Sequence, residues 1–229
     1  MERLFAALVM TITSTLSVLG AYLRSSIAQG GPYLRKHWWA VLLAYAIWWG
    51  PFVMGLLAPV SSHTAALQVH IIRQMYHSHQ GIEGFLNSIS LSVVRIILSN
   101  WVVVAVLAGS VYLIRTPKRE WFSIFLGVLG LSVILVQNLF MLFMGGSALV
   151  TMNGGSFWRG LFSMPHGFLE FAAYAVPMAI LFGGLRTDHR TALQIVVGCG
   201  LIGALILIPS GIVEQYLSPI IDHTFHLRY

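Results

Sequence analysis

Charge is scarce in this chain. Only 9% of its 229 residues are Asp, Glu, Lys or Arg, against about 25% in an ordinary soluble domain. There is one cysteine, Cys199, so no internal disulfide can form and the redox compartment cannot be read from it. There is no phosphate-cradling glycine loop, no His-Glu-x-x-His zinc motif and no evident nucleophile–base pair. No segment has the composition of a soluble second domain. These absences argue against an enzyme without excluding one. The apolar runs are continuous and do not alternate every second residue, which disfavours a transmembrane barrel.

What the sequence has is apolar length. Hydrophobic residues make up 57% and gather in runs of roughly 20, the length a helix needs to cross the hydrocarbon core. The reading is a single all-α integral membrane domain over 1–229, a transmembrane helical bundle of five to six spans. Spans are expected at 38–60, 93–114, 122–150, 163–185 and 192–217. Residues 4–23, rich in Ser and Thr, could be a first span, an interfacial helix or a signal anchor. No small-residue cleavage pattern follows them, so they are kept in the mature chain. Residues 61–86 are too polar to span. Leu67, Ile71 and Met75 recur at helical spacing there and predict an amphipathic helix lying on the membrane. Residues 153–160, "NGGSFWRG", read as a glycine-rich turn.

The net charge of +6 would suggest nucleic acid in a soluble protein. Here eight of the 13 Lys and Arg lie in three short segments, 24–37, 115–120 and 186–190. They therefore read as topology signals, placing those loops in the cytoplasm of a multi-pass cell-membrane protein. The expected partners are the bilayer and other membrane proteins or further copies of the chain, with no nucleic acid. The amphipathic segment, the 153–160 turn and the C-terminal tail then face outward.

Ionisable side chains inside spans are costly and are functional candidates by default. Four qualify: Arg95, His166, Glu170 and Glu214, joined by the amides Asn100, Gln137 and Asn138. In "PHGFLE", His166 and Glu170 are four residues apart and share a helix face. Alternating span direction places most of these groups in one outer layer, with Glu170 roughly 6 Å deeper than His166 at 1.5 Å per residue. A buried polar site of His166, Glu170, Glu214, Asn100 and Asn138, with Arg95 and Gln137 as secondary members, follows. Such a cluster could hold helices together or bind a proton, a substrate or a divalent metal. His166, Glu170 and Glu214 could supply three ligands to zinc. His63, His70 and His77, spaced by seven, are a second metal or acid-sensing candidate beside a plain solvated face. Pro177 and Pro209 interrupt their spans and free carbonyls.

"PHGFLE" resembles the Pro-His-Gly-x-x-Glu signature of the stage II sporulation protein M family, multispan membrane proteins of bacteria and archaea. "IPSGIVEQYLSP" (208–219) looks like that family's closing helix. "LSNWVVVAVLAG" (98–109) and "QNLFMLFMGG" (137–146) are similar to its two Asn-containing helices. The resemblance covers roughly 34–219. It implies a membrane scaffold or transporter-associated subunit with an intramembrane His/Glu site. An intramembrane metal- or carboxylate-dependent hydrolase and a small proton- or cation-coupled permease remain as alternatives.

Overall fold

The computed structural model describes residues 2–77, 92–115 and 120–217. The described residues form α-helices: α1 (Glu2–Lys36), α2 (Trp38–Leu56), α3 (Ser62–His77), α4 (Ser92–Arg115), α5 (Trp121–Met152), α6 (Phe157–Phe162), α7 (Gly167–Gly183) and α8 (His189–Ile212), the last continuing as a π-helical turn over Val213–Leu217. The fold is the all-α bundle that the apolar runs predict. Among the described residues, four helices are long and apolar enough to cross a membrane: Trp38–Leu56, Ile96–Arg115, Trp121–Met152 and His189–Leu217. α7 is shorter but equally apolar.

Cross-helix contacts fix the direction of each helix. The bare backbone of Gly127 on α5 lies against Ser110 and Ile114 on α4, while Gly211 on α8 lies against Ile97 and Gly200 against Ala108. α4 is therefore antiparallel to both α5 and α8. Ser210 meets His166 and Gly203 meets Ala173, so α7 is antiparallel to α8. One end of the bundle gathers the ends of α1, α4 and α7 and the starts of α2, α5 and α8. Arg35, Lys36, Arg115, Arg186 and Arg190 lie there, and it is called the basic end below. The opposite end carries α3, α6 and the π turn.

α7 is the axis of the packing. Phe171 and the run Ala173–Ile180 are buried, so this helix is apolar on every side because every side meets protein. Trp48, Leu107, Phe171, Tyr174, Met178 and Leu207, from four helices, form its core. α5 is different. Trp121, Phe125, Leu129, Val133, Val136 and Phe140 are exposed along it, as an acyl-facing helix requires. Its buried residues are Gly127 near the start and a stretch in its final turns, Met144 and Gly146–Val150, the latter beneath the end of α2, α3 and α6.

Several local expectations are corrected. The 24–37 segment is helical to Lys36, with one break at His37, so Arg24 sits on a helix and donates to the Gly20 carbonyl one turn back. The 153–160 turn ends at Gly155, with left-handed Gly154 and Gly155. Ser156 then caps α6 by accepting the Arg159 amide at 3.4 Å. Helix α3 forms where the amphipathic segment was expected, with Leu67 outward, 51% exposed, and Ala65 buried on the opposite side. Residues 78–86 of that expected segment lie outside the described residues. Neither Pro177 nor Pro209 breaks its helix.

Candidate functional site

The opening turn of α7 starts from Pro165 and His166, which lie in the turn before Gly167. His166 is the N-cap residue and makes no side-chain cap. Its carbonyl accepts the amides of Leu169 and Glu170, each at 3.0 Å, and the Ser210 hydroxyl of α8 at 3.2 Å. One turn further on, Glu170 faces the bundle. The Tyr174 hydroxyl, another turn along the same face, lies 2.6 Å from Glu170 Oε1 and 2.9 Å from Asn100 Oδ1 on α4. Tyr174 therefore bridges two helices through one oxygen.

That hydroxyl carries one proton and faces two oxygen acceptors, so it can donate to only one of them. Two arrangements satisfy the chain. In one, ionised Glu170 accepts from Tyr174, and the Asn100 amide is turned so that its NH₂ donates to the tyrosine oxygen. In the other, protonated Glu170 donates to Tyr174, which donates to Asn100 Oδ1. The same three side chains thus accommodate Glu170 with or without its proton.

The surroundings hold this geometry. The Tyr174 ring packs against Trp48 with centroids 5.1 Å apart, and the Trp48 indole donates to Met178 Sδ at 3.1 Å. The Tyr45 hydroxyl donates to the Phe168 carbonyl at 3.2 Å. Next to Asn100, the Trp101 indole donates to the Ala204 carbonyl at 2.9 Å, tying α4 to α8. Glu214 lies in the π turn that ends α8. π turns of this kind are frequent at functional sites.

Of the residues picked from sequence, Glu170 and Asn100 come together through Tyr174, and His166 joins through its carbonyl; Glu214 lies on the π turn, one turn beyond Ser210. Asn138 does not join this chain of bonds: its amide donates to the Ile134 carbonyl of its own helix at 2.8 Å. Gln137 is half-buried on α5 and makes an interaction of its own. Arg95 lies on α4, and its side chain is outside the described residues. Among the described residues no group of three or more His, Cys, Asp or Glu is placed to hold a metal ion, so His166, Glu170 and Glu214 do not assemble as a zinc triad. His63 and His70 are both exposed on α3, about 10 Å apart along the helix at 1.5 Å per residue. That is too far to share an ion, and the side chain of His77 lies outside the described residues. Sequence reading passed over Tyr174, Ser210 and Tyr45. The available signal for Tyr174 was its i+4 spacing from Glu170, the same spacing that drew attention to His166.

The basic end has its own polar construction. The Arg115 guanidinium donates to the Leu181 carbonyl and the Tyr33 hydroxyl to the Gly184 carbonyl at 2.9 Å. Both bonds satisfy the carbonyl-rich C-terminus of α7. No protein-family model, no curated protein and no solved structure matches the chain.

Proposed function

We propose that the chain is a multi-pass component of a bacterial or archaeal cell membrane, acting as a scaffold or transport-associated subunit, with the Glu170–Tyr174–Asn100 network as its working centre. The observation that carries the reading is the Tyr174 hydroxyl, which ties a carboxyl on α7 to an amide on α4 at 2.6 and 2.9 Å in a helix otherwise apolar on all sides. The positive-inside rule puts the basic end in the cytoplasm. The Pro-His-Gly-x-x-Glu resemblance, with its scaffold and transporter-associated relatives, supports the same role. The long apolar face of α5 supplies surface for partner helices as well as lipid. The test is purification from native membranes after mild cross-linking, comparing the wild type with Glu170→Gln and Tyr174→Phe. A partner should come with the wild type and be lost when the network is altered. Recovery of the bare chain in every case would end the scaffold reading.

A second reading, proton- or cation-coupled permeation, is favoured by one observation: the Ser210 hydroxyl of α8 bonds the His166 carbonyl at 3.2 Å, which sets the π turn carrying Glu214 at the same end of the bundle as Glu170. Two carboxylates in an apolar layer repel, and a proton or cation between them offsets that repulsion. Proteoliposomes containing the purified chain should then show a flux that Glu170→Gln abolishes. Absence of wild-type flux refutes this reading.

A further inference from the structure

The second polar surface is at the opposite end from the network. Two segments far apart in sequence meet there. The Tyr33 hydroxyl holds the Gly184 carbonyl at 2.9 Å, and the His37 ring lies over Gly183, where a Cβ would stand 3.0 Å from it. This clasp brings the end of α1 beside the α7–α8 loop. Arg35 and Lys36 come from the first segment and Arg186 from the second, and all three are exposed. Arg190, at the start of α8, is exposed as well. Among the described residues none of these four makes an ion pair. The described carboxylates at this end are Asp188 and Glu120. Asp188 is occupied, accepting the amides of Arg190 and Thr191 at 3.0 Å each.

Directly after the clasp come two indoles. Trp38 is 61% exposed and Trp39 46%. Trp121, which opens α5 at the same end, is 78% exposed. Exposed indoles beside cations suit the headgroup layer, where the ring lies among glycerol and upper acyl groups and the cations reach phosphate.

We propose that the basic end binds anionic phospholipid headgroups, with Arg35, Lys36 and Arg186 contacting the phosphate and Trp38 and Trp39 seating the glycerol backbone. Charge complementarity selects the occupant. Several unpaired cations in one patch favour a lipid with net negative charge over a zwitterionic one, whose choline would be repelled. The clasp fixes the fine position of the two basic segments, which the close packing of α1 on α8 at Gly30 and Gly198 already brings side by side.

The test uses the full-length chain in nanodiscs of phosphatidylcholine, with phosphatidylglycerol added in steps. Lipid retained after transfer to detergent is counted by native mass spectrometry. Phosphatidylglycerol should be retained in preference to phosphatidylcholine. Arg35→Gln, Lys36→Gln and Arg186→Gln, made singly, should each weaken that preference about five-fold, whereas Lys36→Arg should keep it. Tyr33→Phe should weaken it too, although it removes no charge. Equal retention of the two lipids by the wild type, or an undiminished preference in all three Gln variants, overturns the proposal. So does full displacement of the lipid by free glycerol 3-phosphate, which would identify a site for small anions instead.

Discussion

Replacing Tyr174 by Phe isolates one oxygen. The ring stays, so its packing against Trp48 at 5.1 Å and its place in the core are preserved. Lost are the 2.6 Å contact to Glu170 and the 2.9 Å contact to Asn100. Interhelical hydrogen bonds in membrane proteins average about 0.6 kcal/mol and reach about 1.7. A bond to a charged or strongly polar group, together with the cost of stranding its partner in a buried place, lies at about 1–3 kcal/mol. The substitution should therefore destabilise the fold by about 1–3 kcal/mol in reversible unfolding from mixed micelles. Asn100→Leu, which removes only the interhelical half, should cost about 0.6–1.7 kcal/mol. The double variant should cost less than the sum of the two, because the interhelical bond is lost once, not twice. Glu170→Gln should stay within about 1 kcal/mol of wild type, since the Gln NH₂ donates to Tyr174 as a protonated carboxyl would. A Tyr174→Phe variant within about 0.3 kcal/mol of wild type, or strict additivity with Asn100→Leu, would show that the bridge does not hold the helices.

Three further substitutions probe the frame around the site. Gly203→Ala places a Cβ 2.6 Å from the Ala173 carbonyl oxygen, forcing α7 and α8 apart; a loss of about 1–3 kcal/mol should appear in the same unfolding assay, and a neutral result would refute the close approach. Thr151→Val strands the Val60 amide, which donates to Thr151 Oγ1 at 3.0 Å, and should cost about 1–3 kcal/mol, whereas Thr151→Ser should be nearly silent. Asp188 is held below the ordinary carboxylate range by the Thr191 hydroxyl and amide, with help from the Arg190 amide and Thr187 hydroxyl. A depressed folded value means that its stabilisation is complete above about pH 4 and is lost as pH falls through the lowered value. Asp188→Ala should flatten that acid-side slope, read as unfolding midpoint against pH, and an unchanged slope would remove the cap from the account.

The helix positions were legible because a bilayer allows few solutions. An apolar run of about 20 residues must satisfy its own backbone, and a helix does so, so the expected 93–114, 122–150 and 192–217 segments agree with α4, α5 and α8 to within a few residues. Glu170 and Asn100 were legible as costly groups needing partners. The roles of Asn138 and Tyr174 were not. Whether Asn138 reaches across to another helix or bonds its own Ile134 carbonyl depends on its rotamer, which spacing does not encode. Spacing does not set Tyr174 apart from a core aromatic, because a ring packs wherever there is room and only the third dimension shows what its hydroxyl meets. The spacing of Leu67 and Ile71 was enough to mark α3 as a helix, but not to single out Ala65, small and inconspicuous, as its buried residue.

Pro177 links the site to the frame. A proline has no amide hydrogen, so the carbonyl four residues back loses its partner; for Pro177 that carbonyl belongs to Ala173, the residue before Tyr174. In water the loss would be made good by solvent, but in this core the carbonyl instead faces the bare Gly203 backbone of α8, a setting for weak Cα–H···O contacts. The proline thus opens the hydrogen-bond ladder immediately beyond the network while the helix stays continuous. On one side of that opening, Tyr174, Tyr45 and Ser210 fasten the first turns of α7 to α4, α2 and α8. On the other side, Arg115 and Tyr33 fasten its last carbonyls to α4 and α1. A helix of 17 residues, anchored by side chains at both ends and relaxed at one point between them, concentrates any adjustment to the proton on Glu170 at its own midpoint. Replacing Pro177 by Ala would restore the missing bond and stiffen that point. If the network works by moving, Pro177→Ala should leave the fold as stable as before or more so while weakening partner retention or flux. Retention and flux unchanged by the substitution would show that the network is fixed architecture.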